Sequence, residues 1–313
     1  MTTWPNPIVS PGRCQTAALG ALCAFLGVPA AGAEAPYAVV RTTVAETLHE
    51  RVYDFSFPSP DKSPWPVNDT VYARLVVPKG KARPPVVLLL PIMAAPNAWI
   101  EERFARELTR RGLAAMWLEM PTQFRRRPHP SMMSGAGFLA RTPKRLAANF
   151  KQAVADARRA LDVLETEPEV DGSRTAVLGV SLGAMVGSAV FSRDARPKAA
   201  VFCLGGADFT DLVYRSEMTG PFLAKLDVKR EELARAWGGL DPLEHVGELP
   251  PRPVFLVNAR SDRVVPPENG RKLAAAFPGA SQVWVPGGHY TAILHMAWMP
   301  TRAALFLGDV LDP

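Results

Sequence analysis

A serine flanked by two glycines is the strongest chemical signal in this chain. The run Gly179-Val180-Ser181-Leu182-Gly183 follows a stretch of apolar residues and precedes a stretch of small ones. A tight turn from a strand into a helix would lift the Ser181 hydroxyl above the sheet edge. Glycines at the two flanking positions avoid side-chain collisions in such a turn. The pattern therefore predicts an exposed nucleophile, and a glycine-rich turn with an inert serine is the structural alternative.

A serine hydroxyl needs a base to become a good nucleophile, and histidine is the commonest base. The chain has five histidines. His289 directly follows a late predicted strand, in Pro286-Gly287-Gly288-His289-Tyr290, and its two glycines allow the loop to curl towards the sheet edge. His289 is therefore the candidate base, although a late histidine taken alone is more often structural. The other four lack this placement: His49, His129, His245 and His295.

The base in turn needs a carboxylate that orients its ring. Asp262 follows the predicted strand 254–258 and lies between Ser181 and His289 in chain order. Its strand directly precedes that of His289, so the two loops are expected to be neighbours at one sheet edge. Asp208, after the preceding strand, is the competitor. In that alternative Asp262 merely caps the helix that follows Pro266.

Alternating strands and helices must position these residues. Buried strands are predicted over 86–90, 113–118, 175–178, 199–204, 254–258 and 282–285. Helices with apolar faces separate these strands. The helices are predicted over 100–112, from Pro143 with Thr142 as the N-cap, from Ser181, over 268–277 and from about 291. Strands between 39 and 77 are expected to form an antiparallel opening pair.

Repeated strand–helix–strand units predict an α/β fold with a doubly wound, mostly parallel sheet. The segment 208–250 is too long for a simple crossover, so we expect it to form a small helical cap near the edge that carries Ser181. Neither a low-complexity linker nor an internal repeat interrupts the chain. Residues 34–313 are therefore predicted to be a single domain.

The first 33 residues have the features of a signal peptide. Residues 14–33 carry no charge, Arg13 stands before them, and Ala31-Gly32-Ala33 supplies the small residues that a signal peptidase reads. We expect cleavage before Glu34 and a periplasmic or secreted product. A buried helix or a disordered leader is the alternative interpretation.

Composition excludes several other classes of protein. Apolar residues make up 48% and charged residues 21% of the chain, as in globular proteins. The net charge of +6 is modest, and no basic run is longer than 125–127, which argues against a nucleic-acid partner. The three cysteines have no metal-site spacing, so neither a zinc module nor a disulfide framework is expected. After residue 30 no stretch is apolar enough for a membrane span.

The three motifs together resemble the α/β-hydrolase superfamily, in particular its serine esterase and dienelactone-hydrolase types. The Ser181 elbow, the Ser261-Asp262-Arg263-Val264-Val265-Pro266 run and the Gly-Gly-His loop carry this resemblance, which covers about residues 80–310. It implies a serine hydrolase that works through an acyl-enzyme without a cofactor. In that scheme Ser181 attacks, His289 moves the proton and Asp262 stabilises the imidazolium.

The chain departs from the superfamily after the strand 86–90. Members often have His-Gly at this point, whereas this chain reads Pro91-Ile92-Met93-Ala94-Ala95-Pro96. By position the resemblance implies that the backbone N–H of Met93 acts with that of Leu182 as the oxyanion hole. Because this glycine is missing, the sequence leaves open which backbone N–H is the second donor of the oxyanion hole.

Two further clusters have both a functional and a structural interpretation. Arg125-Arg126-Arg127 could bind an anionic group of a substrate, or it could be solvated surface or structural pairing. Five apolar side chains could form an acyl pocket or pack a loop: Trp99, Phe124, Met132, Met133 and Phe138.

Two classes of function are compatible with these residues. The first is a hydrolase of small-molecule carboxylic esters, with a serine peptidase or thioesterase as the alternative enzyme. The second is a non-catalytic scaffold that binds a ligand or partner. The presence of all three triad residues favours the enzyme, because a scaffold would be expected to lose one of them.

Overall fold

The computed structural model describes residues 37–140 and 142–312. The predicted signal segment, residues 1–33, lies outside the described residues, so its cleavage and the domain division at residue 33 stay predictions. Within the described residues nine strands form one sheet: β1 (Val40–Glu46), β2 (Glu50–Pro58), β3 (Thr70–Pro78), β4 (Pro85–Leu90), β5 (Ala114–Leu118), β6 (Asp171–Val180), β7 (Pro197–Cys203), β8 (Val254–Ala259) and β9 (Ser281–Val285). Their order across the sheet is β1-β2-β3-β5-β4-β6-β7-β8-β9.

The strands from β4 onwards pair in parallel, and the doubly wound α/β sheet predicted from the sequence is confirmed. Every residue of β4, β5 and β8 is buried. Continuous apolar runs such as Val86–Leu90 suit this environment, because helices cover both faces of a parallel sheet.

The antiparallel part at the start of the sheet has more strands than the sequence predicted. Three antiparallel strands, β1 to β3, form it instead of a pair. The missed turn connects β1 to β2 and contains neither Gly, Pro, Asn nor Asp. The Thr47 hydroxyl oxygen accepts hydrogen bonds from the backbone N–H groups of His49 (3.2 Å) and Glu50 (3.1 Å) and so closes the turn.

Eight α-helices of the described chain flank the sheet: α1 (Trp99–Thr109), α2 (Pro143–Thr166), α3 (Leu182–Arg193), α4 (Phe209–Arg215), α5 (Gly220–Lys225), α6 (Arg230–Trp237), α7 (Pro267–Ala276) and α8 (Met299–Leu311). α1 and α8 pack against each other in one apolar layer, and α2 and α3 belong to the other. The predicted start of α2 is confirmed, since the Thr142 side chain accepts a hydrogen bond from the Arg145 N–H at 3.2 Å and Pro143 follows it.

The segment between β7 and β8 contains three short helices, α4 to α6. Phe209 and Trp237 of this segment pack on Phe150 of α2, with ring centroids 5.2 and 4.9 Å away. Such aromatic contacts bury a large apolar area. These contacts hold the segment against α2.

The chain after β9 differs from the single helix predicted from about residue 291. Thr291–Ala297 is a 3-10 helix, and α8 begins at Met299 with Pro300 in its first turn. A proline inside one continuous helix would remove a hydrogen bond and clash with the preceding turn. The chain therefore forms two separate helices here, and the second begins just before Pro300. His295 lies in the first of them, the 3-10 helix.

Candidate active site

Ser181 occupies a strained turn between β6 and α3. Its backbone torsions are φ 54° and ψ −116°, a region that residues with a side chain rarely adopt. Its N–H donates a hydrogen bond to the carbonyl of Cys203 at 2.8 Å, so β7 supports the turn. Strain of this kind persists where the surroundings over-determine it, and it is concentrated at functional sites.

The two flanking glycines are required by close backbone approach. A Cβ atom on Gly179 would lie 2.1 Å from the carbonyl oxygen of Gly183, and one on Gly183 would lie 1.9 Å from the carbonyl oxygen of Leu90. Both distances are far below any van der Waals contact, and the obstructing atoms belong to the backbone. No side chain can therefore replace either hydrogen without moving the turn.

The structure brings the three candidates Ser181, His289 and Asp262 together. The three residues follow β6, β9 and β8, whose carboxyl ends meet at one edge of the sheet. The Ser181 Oγ lies 2.8 Å from His289 Nε2, and His289 Nδ1 lies 2.7 Å from Asp262 Oδ2. The side chain of His289 is 9% exposed and that of Asp262 is 2% exposed. A serine nucleophile, its base and an orienting acid require two consecutive hydrogen bonds of this kind.

Both oxygens of Asp262 have defined partners. Oδ2 contacts the histidine, while Oδ1 accepts hydrogen bonds from the N–H groups of Val264 (2.9 Å) and Val265 (2.8 Å). The Ser261 N–H donates to the carbonyl of Gly287 at 2.9 Å and joins the two loops. These contacts hold the carboxylate in one orientation towards His289.

Asp208, the competing acid, has other partners. Its Oδ1 accepts a hydrogen bond from the Asp211 N–H at 3.2 Å, and its Oδ2 lies 2.7 Å from the Lys272 Nζ. Asp208 is therefore the N-cap of α4 and one half of an ion pair. The geometry favours Asp262 as the partner of His289.

Leu182 and Met93, the candidate oxyanion donors, both line the cavity at Ser181. Leu182 is the first residue of α3, and Met93 lies between β4 and α1. Within residues 37–140 and 142–312, neither backbone N–H donates a hydrogen bond to another protein group. The first N–H groups of a helix have no partner within it, so they are available to a developing negative charge.

Ser181 and His289 face a cavity of about 370 Å³. Its wall is mainly apolar and includes Leu212 and Trp237 from the segment between β7 and β8. In the described part of the chain no lysine, arginine, aspartate or glutamate lines it. Of the five apolar residues considered for an acyl pocket, Phe138 lines the cavity; Trp99, Phe124, Met132 and Met133 are not among its lining residues.

The arginine cluster 125–127 makes structural contacts. Arg126 is completely buried and lies 2.7 Å from Asp156 Oδ2. Arg125 pairs with Glu119 at 2.6 Å and stacks on the ring of Tyr72. Arg127 donates hydrogen bonds to backbone carbonyls, and none of the three arginines lines the cavity. The interpretation as a structural cluster is the one that these contacts support.

Two buried polar residues near the cavity were missed by the sequence analysis. Glu101 is 3% exposed, and burial raises the pKa of its carboxyl group to about 7. Gln123 is 1% exposed, and its side-chain amide contacts the loop that contains Met93. Glu101 stands in the first turn of α1, where acidic residues are common on the surface, so its sequence position carried no signal.

The described residues offer no group of three or more His, Cys, Asp or Glu side chains that could hold a metal ion. Among the same residues, no helix is long and apolar enough to cross a membrane.

No protein-family model matches this chain, and no match was found among curated proteins. Solved structures do resemble it. The acetyl xylan esterase from Paenibacillus sp. R4 is 19% identical with a TM-score of 0.68, covering 88% of this chain and 90% of that one. Acetyl xylan esterase 1 from Thermoanaerobacterium sp. JW/SL YS485 is 14% identical with a TM-score of 0.63, covering 89% of each chain.

An S-formylglutathione hydrolase from Agrobacterium tumefaciens is 14% identical with a TM-score of 0.60, covering 87% of this chain and 99% of that one. The similarity to the three proteins covers 87 to 89% of this chain. Together with the strand order and the turn at Ser181, it shows that the chain has the α/β-hydrolase fold.

Proposed function

We propose that this chain is a serine hydrolase that cleaves carboxylic esters through an acyl-enzyme. The proposal rests on the two hydrogen bonds that link Ser181 to His289 and His289 to Asp262, beside an apolar cavity that Ser181 and His289 line. The solved structures that this chain resembles include two acetyl xylan esterases and an S-formylglutathione hydrolase, which also supports the proposal.

Acylation begins when Ser181 Oγ attacks the carbonyl carbon of the ester and His289 Nε2 accepts the hydroxyl proton. The carbonyl oxygen becomes an oxyanion that the N–H groups of Leu182 and Met93 can stabilise. The Asp262 carboxylate stabilises the imidazolium. His289 then gives its proton to the leaving alkoxide as the C–O bond breaks, and the acyl group stays on Ser181.

Deacylation repeats these steps with water as the nucleophile. His289 accepts a proton from the water, whose oxygen attacks the acyl carbon. The second tetrahedral intermediate collapses, the proton returns to Ser181 Oγ and the carboxylic acid is released. Each residue therefore ends the cycle in its starting state.

The cavity favours uncharged, mainly apolar esters. Burying a charged group without a partner is costly, and no charged side chain of the described residues lines the wall. Each methylene that moves from water into such a wall contributes about 0.8 kcal/mol. We therefore propose that acyl chains longer than acetyl bind better until the cavity is full.

The proposal is tested with a fluorophosphonate probe and a panel of p-nitrophenyl esters from acetate to decanoate. Wild type should be labelled on the peptide that contains Ser181 and should turn over at least one ester. Ser181→Ala should lose labelling and about 10⁴- to 10⁶-fold in kcat. Ser188→Ala is the matched control, because Ser188 is a buried serine of α3, the helix that follows Ser181, and it donates to the Met185 carbonyl.

The control variant should be labelled and active like wild type. Residual turnover above about a tenth of wild type in Ser181→Ala would mean that another group is the nucleophile. A wild-type protein that is neither labelled nor active on any ester would favour the ligand-binding scaffold.

A further inference from the structure

The side chain of Gln123 contacts the loop between β4 and α1 at two backbone oxygens. Its Nε2 donates hydrogen bonds to the carbonyls of Ile92 (2.6 Å) and Met93 (2.8 Å). Its Oε1 accepts a hydrogen bond from the Met120 N–H at 3.1 Å. The amide is 1% exposed, so these bonds form in a dry environment where geometry is strongly enforced.

The two neighbours of Gln123 have a backbone conformation that is unusual for residues with side chains. Thr122 has φ 66° and Phe124 has φ 39°. Such torsions persist only where surrounding contacts impose them. They turn the chain sharply on both sides of Gln123 while its side chain contacts the loop.

A buried polar network imposes this conformation. The Thr122 N–H donates to Asn68 Oδ1 at 2.9 Å. Arg126 donates to the carbonyls of Asn68 (2.6 Å) and Glu119 (2.7 Å) and to Asp156 Oδ2 (2.7 Å). The Arg126 and Asp156 side chains are both 0% exposed. These hydrogen bonds connect the turn around Gln123 to Asn68, Glu119 and Asp156 and so hold it in place.

Gly135 confines the same loop by close packing. A Cβ atom on Gly135 would lie 2.6 Å from the carbonyl oxygen of Met93, and its φ of 77° suits glycine. The Gly135 N–H donates to the Thr122 carbonyl at 3.0 Å. The Met93 carbonyl therefore has both Gln123 and Gly135 next to it.

The Ile92–Met93 peptide group connects these contacts to the chemistry. The described chain contains no cis peptide bond. In a trans peptide the C=O of one residue and the N–H of the next point in opposite directions within one plane. Anchoring the Ile92 oxygen on Gln123 therefore directs the Met93 N–H away from Gln123. That N–H has no other protein partner among the described residues.

We infer that Gln123 is a positioning residue that sets the orientation of the Met93 N–H, the second donor to the oxyanion. This inference rests on the proposed function. Among the described residues the Ile92 carbonyl accepts a hydrogen bond from Gln123 Nε2 alone, so this contact defines the orientation of the peptide group that carries the Met93 N–H. Gln123 supplies that anchor from a turn about 30 residues further along the chain, a separation that no local motif could reveal.

Gln123→Met tests the inference, because methionine has a similar shape but donates no hydrogen bond. Loss of one oxyanion donor costs about 10²- to 10³-fold in kcat, and a misdirected donor should cost about 10- to 100-fold. KM should change less than threefold, because the ground-state ester makes little use of the donor. Gln123→Glu, which places a carboxylate against the two carbonyl oxygens, should have at least as large an effect on kcat at pH 8.

Gln282→Met is the matched control. The Gln282 Nε2 also donates two hydrogen bonds, to Asn258 Oδ1 (2.9 Å) and to the Gly270 carbonyl (3.1 Å). Its kcat should stay within twofold of wild type. All rates are expressed per active site titrated to completion with the fluorophosphonate, so that a misfolded fraction does not enter kcat.

Affinity for an alkyl boronic acid is the second measurement. Its tetrahedral adduct with Ser181 places an oxygen where the oxyanion forms. The inhibition constant should therefore rise in Gln123→Met by a factor similar to the fall in kcat/KM. A merely structural role would leave both quantities unchanged per titrated site.

The two proposals can fail separately. If wild type neither hydrolyses esters nor reacts at Ser181, the proposed function is wrong, and this inference falls with it. If wild type is active but Gln123→Met and Gln123→Glu keep kcat and the boronic acid affinity within twofold, the role of Gln123 is wrong and the serine hydrolase stands.

Discussion

Replacing Asp262 by asparagine should nearly abolish turnover without unfolding the protein. Asp262 Oδ1 accepts two backbone hydrogen bonds, from Val264 and Val265, that an amide oxygen can also accept. The asparagine oxygen should therefore occupy that position and leave the NH₂ group facing His289 Nδ1. An NH₂ group donates, so Nδ1 has to be the unprotonated nitrogen and the proton moves to Nε2.

The magnitude follows from the 2.8 Å contact between His289 Nε2 and Ser181 Oγ. When the neutral imidazole carries its proton on Nε2, that nitrogen cannot accept the serine proton. The favoured tautomer therefore presents no base to Ser181. Wrong-tautomer variants of such triads lose about 10⁴-fold in kcat. This factor corresponds to about 5 kcal/mol in activation free energy. The cost in unfolding free energy should be about 1 to 3 kcal/mol, because a neutral hydrogen bond replaces a charge-assisted one.

Asp208→Asn is the control for this experiment. Its Oδ1 caps α4 and its Oδ2 pairs with Lys272 at a partly exposed site. Asparagine is also a good N-cap, so this variant loses only an ion pair worth about 1 kcal/mol or less. Its kcat should stay within a few-fold of wild type.

Both variants are compared by kcat on one chromogenic ester at pH 8, with circular dichroism to verify folding. An inactive Asp208→Asn beside an active Asp262→Asn would refute the assignment of the acid. A folded Asp262→Asn with more than about a tenth of wild-type kcat would refute the tautomer argument itself.

Three further predictions concern burial and export. Burial raises the pKa of Glu101 from 4.5 to about 7. Its ionisation therefore lowers the free energy of unfolding as pH rises through this window. Glu101→Gln should raise the free energy of unfolding, measured with urea, by about 3 kcal/mol above pH 7 but hardly change it below pH 4.5. An equal difference at both pH values would contradict this. Asp156→Asn leaves the buried Arg126 without its counter-charge and should cost about 3 to 5 kcal/mol in unfolding free energy, whereas a loss below about 1 kcal/mol would mean that water solvates the arginine. Protein from an exporting host should begin at Glu34 after cleavage behind Ala33, as N-terminal sequencing would show; an intact Met1 on cytosolic protein would argue against export.

The catalytic candidates could be predicted from the sequence because each depends on local chemistry at the end of a strand. Gly179 is demanded by its backbone distance to Gly183 within one turn, and that distance is the same wherever the turn occurs. Asp262 and His289 follow consecutive strands, and consecutive parallel strands commonly lie side by side. Adjacency in the chain therefore implied adjacency in space.

Other features depended on contacts between distant parts of the chain. The turn after β1 was missed because a threonine hydroxyl closes it in place of a glycine or proline. Arg126 belongs to a basic run for which the sequence left substrate binding, solvated surface and structural pairing open, and Asp156, 30 residues later, neutralises it in the core. Charge patterning alone cannot distinguish these two environments, because the partner is supplied by a different element.

The sequence by itself determined the α/β fold, the turn at Ser181 and the order in which Ser181, Asp262 and His289 follow their strands. These follow from hydrophobic periodicity and local steric demands, which act over a few residues. The tertiary structure alone decided the preference for Asp262 over Asp208, the apolar wall of the cavity and the contacts of Gln123 with the Met93 loop. Hydrogen bonds of 2.6 to 2.8 Å join residues about 30 positions apart in this last case. Such distances are set by how whole elements pack, so they become visible only when the chain has folded.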